Sequence, residues 1–316
     1  MRLPLGFSVA PGTALAVYSL PRPGLSAYET AMPDRSNTRP PAQPFLKWAG
    51  GKGQLLTQYE AFFPTSRGGS YFEPFVGSGA VFFHLQPRGL FERYVLSDSN
   101  AELVNLFRVV RDQPGALLEH LRQHAERHSA EYYYAVRARD RSPDWNATPA
   151  PERAARMLYL NRTCYNGLWR VNSRGYFNVP LGRYRNPDIY RPERIHAASR
   201  ALQAAEIEVR RFDAVLDHAQ AGDFVYFDPP YVPVSDTANF TSYEAEVFGE
   251  AEQQRLAEVF ATLAARGCRV MLSNSDTPLV HALYAGFRIE RVLARRAINS
   301  KAGRRGPVYE VVVLSG

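Results

Sequence analysis

The sequence predicts an α/β fold built on a mostly parallel, seven-stranded sheet. From residue 45 onward, short apolar runs rich in β-formers are bounded by turn residues, and helical patterns lie between several of them. Strands that alternate with helices imply parallel pairing through right-handed crossovers, whereas the last two runs have no helix between them and predict an antiparallel hairpin. The predicted strands cover residues 71–76, 93–97, 207–212, 223–227, 268–273, 287–293 and 309–314, with helices at 52–62, 79–86 and 250–266.

Two segments depart from this alternation. Residues 1–44 are rich in proline and glycine and have no helical or strand period, which predicts a disordered leader. Translation from Met1 and from Met32 are both compatible with it. Residues 99–206 separate the second and third strands, which is too long for one crossover, so we expect an inserted, mostly helical domain. Its helical patterns cover 100–111, 114–127, 130–139 and 152–160.

Composition narrows the class of protein. The net charge of +7 and a pI near 9.4 suit a phosphate-rich partner without proving one. The two cysteines, Cys164 and Cys268, lie far apart, which argues against a disulfide scaffold and a thiolate metal site. No apolar run reaches the roughly 18 residues of a membrane span. We therefore expect a cytoplasmic protein that uses neither a membrane nor a metal.

The first candidate motif runs from Phe45 to Lys52. Gly50 and Gly51 precede a predicted helix and let backbone amides approach a ligand closely. Lys52 falls in the first helical turn, where a cation opposes the helix dipole, so an anionic ligand such as a carboxylate is expected beside it. A plain turn with a solvated lysine is the alternative.

The second and third motifs follow the first two strands. Residues 71–79 form a strand and a Gly-x-Gly turn that ends at Gly79, which predicts a cofactor cleft at the carboxyl edge of the sheet. Asp98 ends the second strand 19 residues after Gly79, where an acidic residue commonly binds ribose hydroxyls. A role for Asp98 or Asn100 as a helix cap stays open.

The fourth motif carries most of the functional inference. An apolar strand ends in Asp228, Pro229, Pro230 and Tyr231. The prolines remove two backbone donors and stiffen the turn, so the Asp228 carboxylate and a proline carbonyl are expected to face the cleft as acceptors. Two acceptors would bind both hydrogens of an exocyclic amine and free its lone pair, and Tyr231 offers a flat face for a flipped base.

These motifs, in this order, resemble the DNA adenine methylase (Dam) family in its alpha arrangement, from Phe45 to the C-terminus. The resemblance implies a Rossmann-like methyltransferase sheet, S-adenosyl-L-methionine as the methyl donor, double-stranded DNA as the partner and a monomeric, adenine-specific enzyme. It makes residues 45–98 and 207–316 the catalytic domain and 99–206 the target-recognition domain.

The resemblance also implies roles for individual residues of a cofactor site. Trp48 and Lys52 would meet the methionine moiety, Asp98 the ribose, and Asp228 would lie between cofactor and base. Asp213, placed at the end of the third strand, would contact the cofactor adenine. The residues expected to line the same cleft are Glu73, Phe75, Gly77 and Gly79.

A basic, aromatic segment between residues 160 and 200 contains eight arginines and two acidic residues. Arginine reads guanine edges bidentately, and tyrosine or leucine can wedge between base steps. A solvated basic hairpin is the alternative.

The segment resembles the recognition hairpin of Dam enzymes that act on GATC. That resemblance implies Tyr165 and Asn166 near the flipped adenine and its orphan partner, Leu168 and Pro180 on the thymine methyl, Arg170 on the guanine paired with cytosine, Lys47 on the first guanine, and Asn172, Arg183 and Tyr184 as hairpin support or phosphate contacts.

Two further loops and three other functions complete the expectations. Residues 240–243 could close over substrate, and the basic loop at 299–306 could hold DNA phosphates, unless both are ordinary surface loops. Methylation of RNA adenine or of cytosine N4 would keep the chemistry and change the substrate. A DNA-binding regulator that keeps the fold but has no catalytic activity is an alternative that is not an enzyme. A metal-dependent nuclease is disfavoured because the sequence offers no carboxylate cluster around Asp228.

Overall fold

The computed structural model describes residues 40–233, 248–294 and 308–316. Most of the predicted leader therefore lies outside the described residues, as do the loops at 240–243 and 299–306. Within the described residues, none of the helices combines the length and apolar character that crossing a bilayer requires.

One seven-stranded mixed sheet forms the centre of the fold, in the order β3-β2-β1-β4-β5-β7-β6. The first five strands pair in parallel, and β7 is antiparallel to both β5 and β6. The predicted α/β class and all seven predicted strands are confirmed. The strands are β1 (Ser70–Glu73), β2 (Arg93–Asp98), β3 (Ala205–Val209), β4 (Phe224–Phe227), β5 (Arg269–Ser275), β6 (Arg288–Ala294) and β7 (Val308–Leu314).

Helices connect the strands and cover the sheet. The predicted helix at 52–62 is broken into a 3-10 turn, the short α1 and a second 3-10 turn, whereas the others end within three residues of their predicted ends. Two helices, α7 and α9, were missed. The α-helices of the described residues are α1 (Leu56–Tyr59), α2 (Ala80–Leu85), α3 (Ala101–Asp112), α4 (Pro114–Glu126), α5 (Ala130–Ala138), α6 (Ala150–Thr163), α7 (Pro192–Leu202), α8 (Glu250–Ala265) and α9 (Pro278–Leu283).

The central strands of the sheet are buried on both faces, which explains why β4 reads as an unbroken apolar run. In β4, Phe224 and Tyr226 belong to one apolar cluster, while Val225 and Phe227 belong to the other, as the two-residue period of a strand requires. The first cluster continues into α3, α4 and α6, and the second is closed by α8.

The predicted recognition segment, 99–206, is joined to the sheet at its β3 edge. Helix α3 lies against β2 and β3, and α6 packs on α3 and α4. The guanidinium of Arg108 donates to the Ile207 carbonyl at 2.8 Å, and that of Arg111 donates to the Ala205 carbonyl at 2.8 Å. The first helix of the predicted inserted domain thus also covers the sheet.

The topology places a crevice at the carboxyl ends of β1 and β4. The chain moves outward from β1 through β2 to β3, and then from β4 to β5 on the other side. At such a switch point the connecting loops diverge and leave room for a ligand. The loops that leave β1 and β4 begin at Pro74 and Asp228, which brings the second and fourth sequence motifs together.

Candidate active site

A cavity of about 950 Å³ opens at this crevice. Its volume lies at the upper end of the roughly 300–1,000 Å³ range of small-molecule and cofactor sites. The lining combines apolar walls with a few carboxylates and one lysine. The predicted site residues that line it are Trp48, Lys52, Glu73, Phe75, Gly77, Asp98, Arg170, Asp228, Pro229, Pro230 and Tyr231.

Lys52 and Asp228 form a close ion pair at the floor of the cavity. The Lys52 Nζ lies 2.7 Å from the Asp228 Oδ1, and the lysine is only 3% exposed. The same ammonium donates to the Gly50 carbonyl and lies 4.7 Å from the centre of the Tyr231 ring. The sequence predicted an anionic ligand beside Lys52. In this structure the carboxylate beside Lys52 is that of Asp228.

Asp228 receives a second hydrogen bond on the same oxygen. The hydroxyl of Ser273, in β5, donates to Asp228 Oδ1 at 2.9 Å and lies 3.0 Å from the Tyr226 hydroxyl. No described residue donates to Asp228 Oδ2. Burial raises the pKa of Asp228 above its usual value, while Lys52 opposes that shift. A half-buried carboxylate with one oxygen to which no described residue donates is a strong hydrogen-bond acceptor.

The turn after Asp228 is held from two other elements. Gln253, on α8, donates to the Pro230 carbonyl at 2.8 Å and accepts from the Asn274 side chain at 3.1 Å. Asn274 in turn accepts from the Val232 amide at 3.2 Å. No described residue donates to the Pro229 carbonyl. The turn therefore presents that carbonyl and Asp228 Oδ2 as acceptors without partners among the described residues.

Tyr231 is fixed at its hydroxyl. It donates to the Glu310 carboxylate, in β7, at 2.7 Å. With its hydroxyl anchored, the ring is held at the cavity wall next to the Lys52 ammonium. A ring held in this way offers a stacking surface at no further cost in conformational freedom.

Gly77 and Gly79 have different structural roles. Gly77 has φ +48°, and a Cβ there would lie 2.9 Å from Cδ1 of Trp48, so the indole packs directly on this turn. Gly79 has φ +68° and does not line the cavity, contrary to the expectation. A Cβ at Gly79 would lie 3.3 Å from Phe83 and Phe107, which makes close packing of α2 on α3 its task.

Asp98 ends β2 as expected, and Asn100 is the cap of α3. The Asn100 side chain accepts from the Glu102 and Leu103 amides, whereas Asp98 accepts from the Asn100 amide at 2.9 Å and weakly from the Gly77 amide at 3.4 Å. Burial raises the pKa of Asp98 to about 6, and these amides oppose the shift. Asp98 is thus directed to the cavity and not to the helix.

Glu73 is buried at the end of β1, 2% exposed. Burial raises its pKa to about 8, and the Tyr71 hydroxyl, which donates to it at 2.8 Å, opposes the shift. Phe75, two residues on, stacks on Phe212 at 5.4 Å and meets the edge of Phe248 at 5.6 Å. One wall of the cavity is therefore acidic and the neighbouring wall is aromatic.

Asp213 was placed wrongly at the end of the third strand. β3 ends at Val209, and Asp213 lies in a 3-10 turn at Phe212–Asp217, outside the cavity lining. Its carboxylate lies 3.6 Å from the Arg211 guanidinium and 3.7 Å from that of Arg255. The preceding residue, Phe212, is the one that reaches the aromatic wall, through Phe75.

Sequence comparison decides which class of enzyme uses this cavity. Residues 48–298 match the family described as D12 class N6 adenine-specific DNA methyltransferase. The chain belongs to this family. The match begins at Trp48 and includes Asp98 and the corner at residues 228–231. The resemblance inferred from the four motifs is therefore confirmed.

Three curated relatives agree with that assignment. The Type II methyltransferase M1.LlaDCHI of Lactococcus lactis subsp. cremoris is 43% identical over 86% of this chain and 95% of its own length. The Type II methyltransferase M.MjaIII of Methanocaldococcus jannaschii is 40% identical over 86% and 99%. The DNA adenine methylase of Escherichia coli is 39% identical over 85% and 94%. The chain thus spans nearly the whole of each relative.

The predicted recognition hairpin of this methyltransferase lies beside the cavity. It is joined by two isolated antiparallel bridges, Cys164 to Leu181 and Val171 to Phe177. At its tip, Asn172 accepts from the Arg174 and Tyr176 amides, so its side chain closes the turn. Of the two roles left open for Asn172, these contacts favour support of the hairpin.

The hairpin side chains that are expected to contact bases differ in their exposure and in their surroundings. Tyr165 is 49% exposed, and Asn166 has φ +55°, a left-handed conformation unusual for a residue with a side chain. Arg170 reaches the cavity, where its Nε donates to the Asn178 side chain at 2.7 Å. Pro180 is exposed, and its carbonyl accepts from the Tyr165 amide at 2.9 Å.

Lys47 joins the hairpin although it precedes it by more than a hundred residues. Its ammonium lies 4.2 Å from the centre of the half-exposed Tyr184 ring, and its stem packs on Gly167. Leu168 is half-buried and Arg183 is exposed. The structure therefore gathers Lys47, Tyr165, Asn166, Leu168 and Tyr184 around one loop, apart from the cavity.

Sequence reasoning missed several residues that hold the site together. Trp169, left unassigned, and Val171 line the cavity. Ser273, Gln253 and Glu310 support Asp228, Pro230 and Tyr231. Ser273 and Asn274 are polar residues at the carboxyl end of the otherwise apolar strand β5, and this position in the sequence could have indicated them. Glu310 lies within an apolar strand, and only the fold reveals its partner.

Within the described ranges, the structure brings together no group of three or more His, Cys, Asp or Glu side chains suited to a metal.

Proposed function

We propose that this chain transfers the methyl group of S-adenosyl-L-methionine to the N6 amino group of an adenine flipped out of duplex DNA, with GATC as the target sequence. Residues 45–98 and 207–316 would form the catalytic domain, and 99–206 the recognition domain. The observation that carries the proposal is a pair of acceptors at the corner, Asp228 Oδ2 and the Pro229 carbonyl, to which no described residue donates. The neighbouring polar groups, Asp228 Oδ1 and the Pro230 carbonyl, already have donors in the protein.

Two fixed acceptors suit an exocyclic amine with two hydrogens. Adenine N6 is a poor nucleophile because its lone pair is delocalised into the ring. When both hydrogens are accepted, the nitrogen is drawn toward tetrahedral geometry and its lone pair becomes available. Lys52 and Ser273 restrain Asp228, and Gln253 restrains the turn, so the acceptors would be aligned before the base arrives. Tyr231 would stack on the flipped base.

The cavity also fits the methyl donor. S-adenosyl-L-methionine supplies an electrophilic methyl carbon on its sulfonium when it is bound. Two of the three N–H donors of Lys52 are directed at Asp228 and Gly50, and the third would bind the methionine carboxylate. Asp98 retains acceptor capacity for ribose hydroxyls. Gly77 makes room for the Trp48 indole, which lines the cavity. Glu73 and Phe75 would complete the cleft.

The proposed target sequence is supported by the hairpin. Lys47 and Arg170 carry the cations for the two guanines, and Leu168 and Pro180 are the apolar groups for the thymine methyl. Tyr165 is exposed enough to enter a base step, with Asn166 beside it. Arg183 and Tyr184 would hold phosphate or support Lys47.

Methylation mapping tests this proposal. DNA from cells that express the wild-type chain, in a host without its own adenine methylation, is mapped for methylated bases, and labelled products made in vitro are digested to nucleosides. We expect N6-methyladenine confined to GATC. A methyl group on cytosine N4, or transfer to RNA in preference to duplex DNA, would reject the substrate. N6-methyladenine in another sequence would reject GATC alone.

A further inference from the structure

The Lys47 peptide is where the catalytic and recognition segments meet, and one buried side chain holds it. Asn161, in the last turn of α6, is fully buried. Its Oδ1 accepts from the Lys47 amide at 2.8 Å, and its Nδ2 donates to the Lys47 carbonyl at 2.6 Å and to the Gly167 carbonyl at 3.0 Å. One side chain thus binds both backbone groups of Lys47 and the backbone of the hairpin.

The bonding capacity of Asn161 is committed to this junction. The amide carries two N–H donors, and both are used, one on each segment. If either segment moved, a buried carbonyl would lose its partner, which is costly in a dry interior. The neighbouring Arg162 donates to the Phe45 carbonyl, so two successive residues of α6 hold the same short segment.

Side-chain packing makes the junction tight. Gly167 has φ +65°, and a Cβ there would lie 2.6 Å from the Lys47 Cδ. On the other side of the lysine stem, the ammonium lies over Tyr184. The position of the Lys47 ammonium therefore depends on where its backbone is held, because the stem has little freedom between Gly167 and Tyr184.

We propose that Asn161 is the positioning residue that sets the register between the Lys47 segment and the hairpin, and that it thereby determines how sharply Lys47 discriminates its base pair. Asn161 is fully buried and does not line the cavity, so it would act through Lys47. The inference rests on the proposed role of Lys47 in reading DNA, and it does not depend on the target being GATC.

The test compares sequence discrimination in matched variants. The target of the wild-type enzyme is mapped first, and Lys47→Ala identifies the base pair that Lys47 reads. Asn161→Asp keeps the acceptor for the Lys47 amide and removes both donors. Thr163→Val is the control, because Thr163 is also buried in the same helix turn and its hydroxyl donates to the Tyr159 carbonyl and, among the described residues, to neither Lys47 nor Gly167. The readout is kcat/KM on the mapped target divided by kcat/KM on a duplex changed at that pair.

We expect Asn161→Asp to lower this ratio by roughly tenfold at the Lys47 pair, within the range of one mismatched pair. The loss should be less than about twofold when Asn161→Asp is added to Lys47→Ala, because both act on the same contact. Thr163→Val should leave the ratio unchanged even if it lowers the melting temperature.

Three results would overturn the inference: an unchanged ratio in Asn161→Asp, a full additional loss in the Lys47→Ala background, or an equal loss in Thr163→Val. If Asn161→Asp does not fold, Asn161→Ala is measured in the same way. A wild-type chain that methylates no adenine would refute the proposed function instead. A Lys47→Ala variant that relaxes no pair would refute the role of Lys47, and this inference with it, while leaving adenine methylation standing.

Discussion

The catalytic corner and the recognition hairpin are built in opposite ways. At the corner, Asp228 and the turn after it are held by Lys52, Ser273 and Gln253, each at most 3% exposed. The hairpin has two isolated bridges, and Tyr165 is 49% exposed. The corner is rigid because alignment is the whole of its proposed chemistry. The hairpin leaves side chains such as that of Tyr165 accessible, as the proposed contacts with base edges would require.

The largest effect is expected at the corner. Asp228→Asn replaces an acceptor with an amide that can donate, so methyl transfer should fall by about 10²–10³-fold, as for loss of one preorganised electrostatic contact. It also leaves the buried Lys52 ammonium without its counter-charge, so the melting temperature should fall. Transfer of a tritiated methyl group to DNA and a thermal melt measure the two effects.

A second substitution separates those two effects. Adding Lys52→Met to Asp228→Asn removes the unpaired buried charge and should recover the melting temperature without recovering transfer. Near-normal turnover in Asp228→Asn would contradict the contrast drawn between the catalytic corner and the hairpin, because the corner would then not need its carboxylate.

The buried acids of the cavity should make the stability of the enzyme depend on pH. The pKa of Glu73 is raised to about 8 in the fold, so between about pH 4.5 and 8 the folded state binds more protons than the unfolded state. The free energy of unfolding should therefore fall by a few kcal/mol as the pH rises through this window. Asp98, with a pKa of about 6, adds a smaller fall that is complete at lower pH.

Glu73→Gln isolates this contribution in urea unfolding at pH 5 and pH 8.5. It should match the wild type at pH 5 and be more stable at pH 8.5. Glu193→Gln, which removes an exposed carboxylate from α7, is the control and should follow the wild type at both values. An equal pH slope in Glu73→Gln and the wild type would show that Glu73 stays ionised in the fold.

On the hairpin, the effect should appear in specificity and not in stability. Arg170→Ala should cost about 1–3 kcal/mol of discrimination at one G·C pair, because a bidentate contact to guanine is lost. Arg174→Ala, on the exposed tip, should weaken binding equally for all sequences or leave it unchanged. Methylation rates on single-pair variants of the target measure both. Unchanged sequence preference in Arg170→Ala would refute its assignment.

The smallest effect compares two glycines with positive φ. Gly175→Ala on the hairpin places its Cβ in open space, so only the left-handed backbone is penalised, by about 1 kcal/mol. Gly77→Ala carries the same backbone penalty and in addition brings its Cβ within 2.9 Å of Trp48. Gly77→Ala should therefore unfold more easily and bind S-adenosyl-L-methionine more weakly, as calorimetry and urea titration would measure. Equal losses would mean that the Trp48 contact relaxes freely.

Much of the fold was predictable because its signals are local. Apolar runs with turn residues located all seven strands, and the strand ends located Asp98 and Asp228. The misses have local causes as well: α7, which is 11 residues long, lies within the arginine-rich segment, and α9 has only six residues, too few to show a helical period. Asp213 was misplaced because the predicted strand was extended through Arg210 and Arg211 to Phe212, whereas β3 ends at Val209.

The roles of Gly79 and of the supporting residues could not be read in the same way. A Gly-x-Gly turn has the same sequence whether a glycine makes room for a ligand or for Phe107. Ser273, Gln253 and Glu310 belong to β5, α8 and β7, between 23 and 79 residues from their partners in the corner. Only the packing of those elements tells which partner each side chain finds.

The sequence by itself determined the order of strands and helices along the chain and the residues able to accept an amine or bind an anion, because apolar runs, turn residues and strand ends are local signals. The resemblance carried by its motifs identified the family. The tertiary structure decided which of those groups are still available. It assigned Asp228 Oδ1 to Lys52 and Ser273, and the Pro230 carbonyl to Gln253. It also brought Lys47 to the hairpin through Asn161. These outcomes depend on contacts between distant elements, and such contacts exist only once both faces of the sheet are packed.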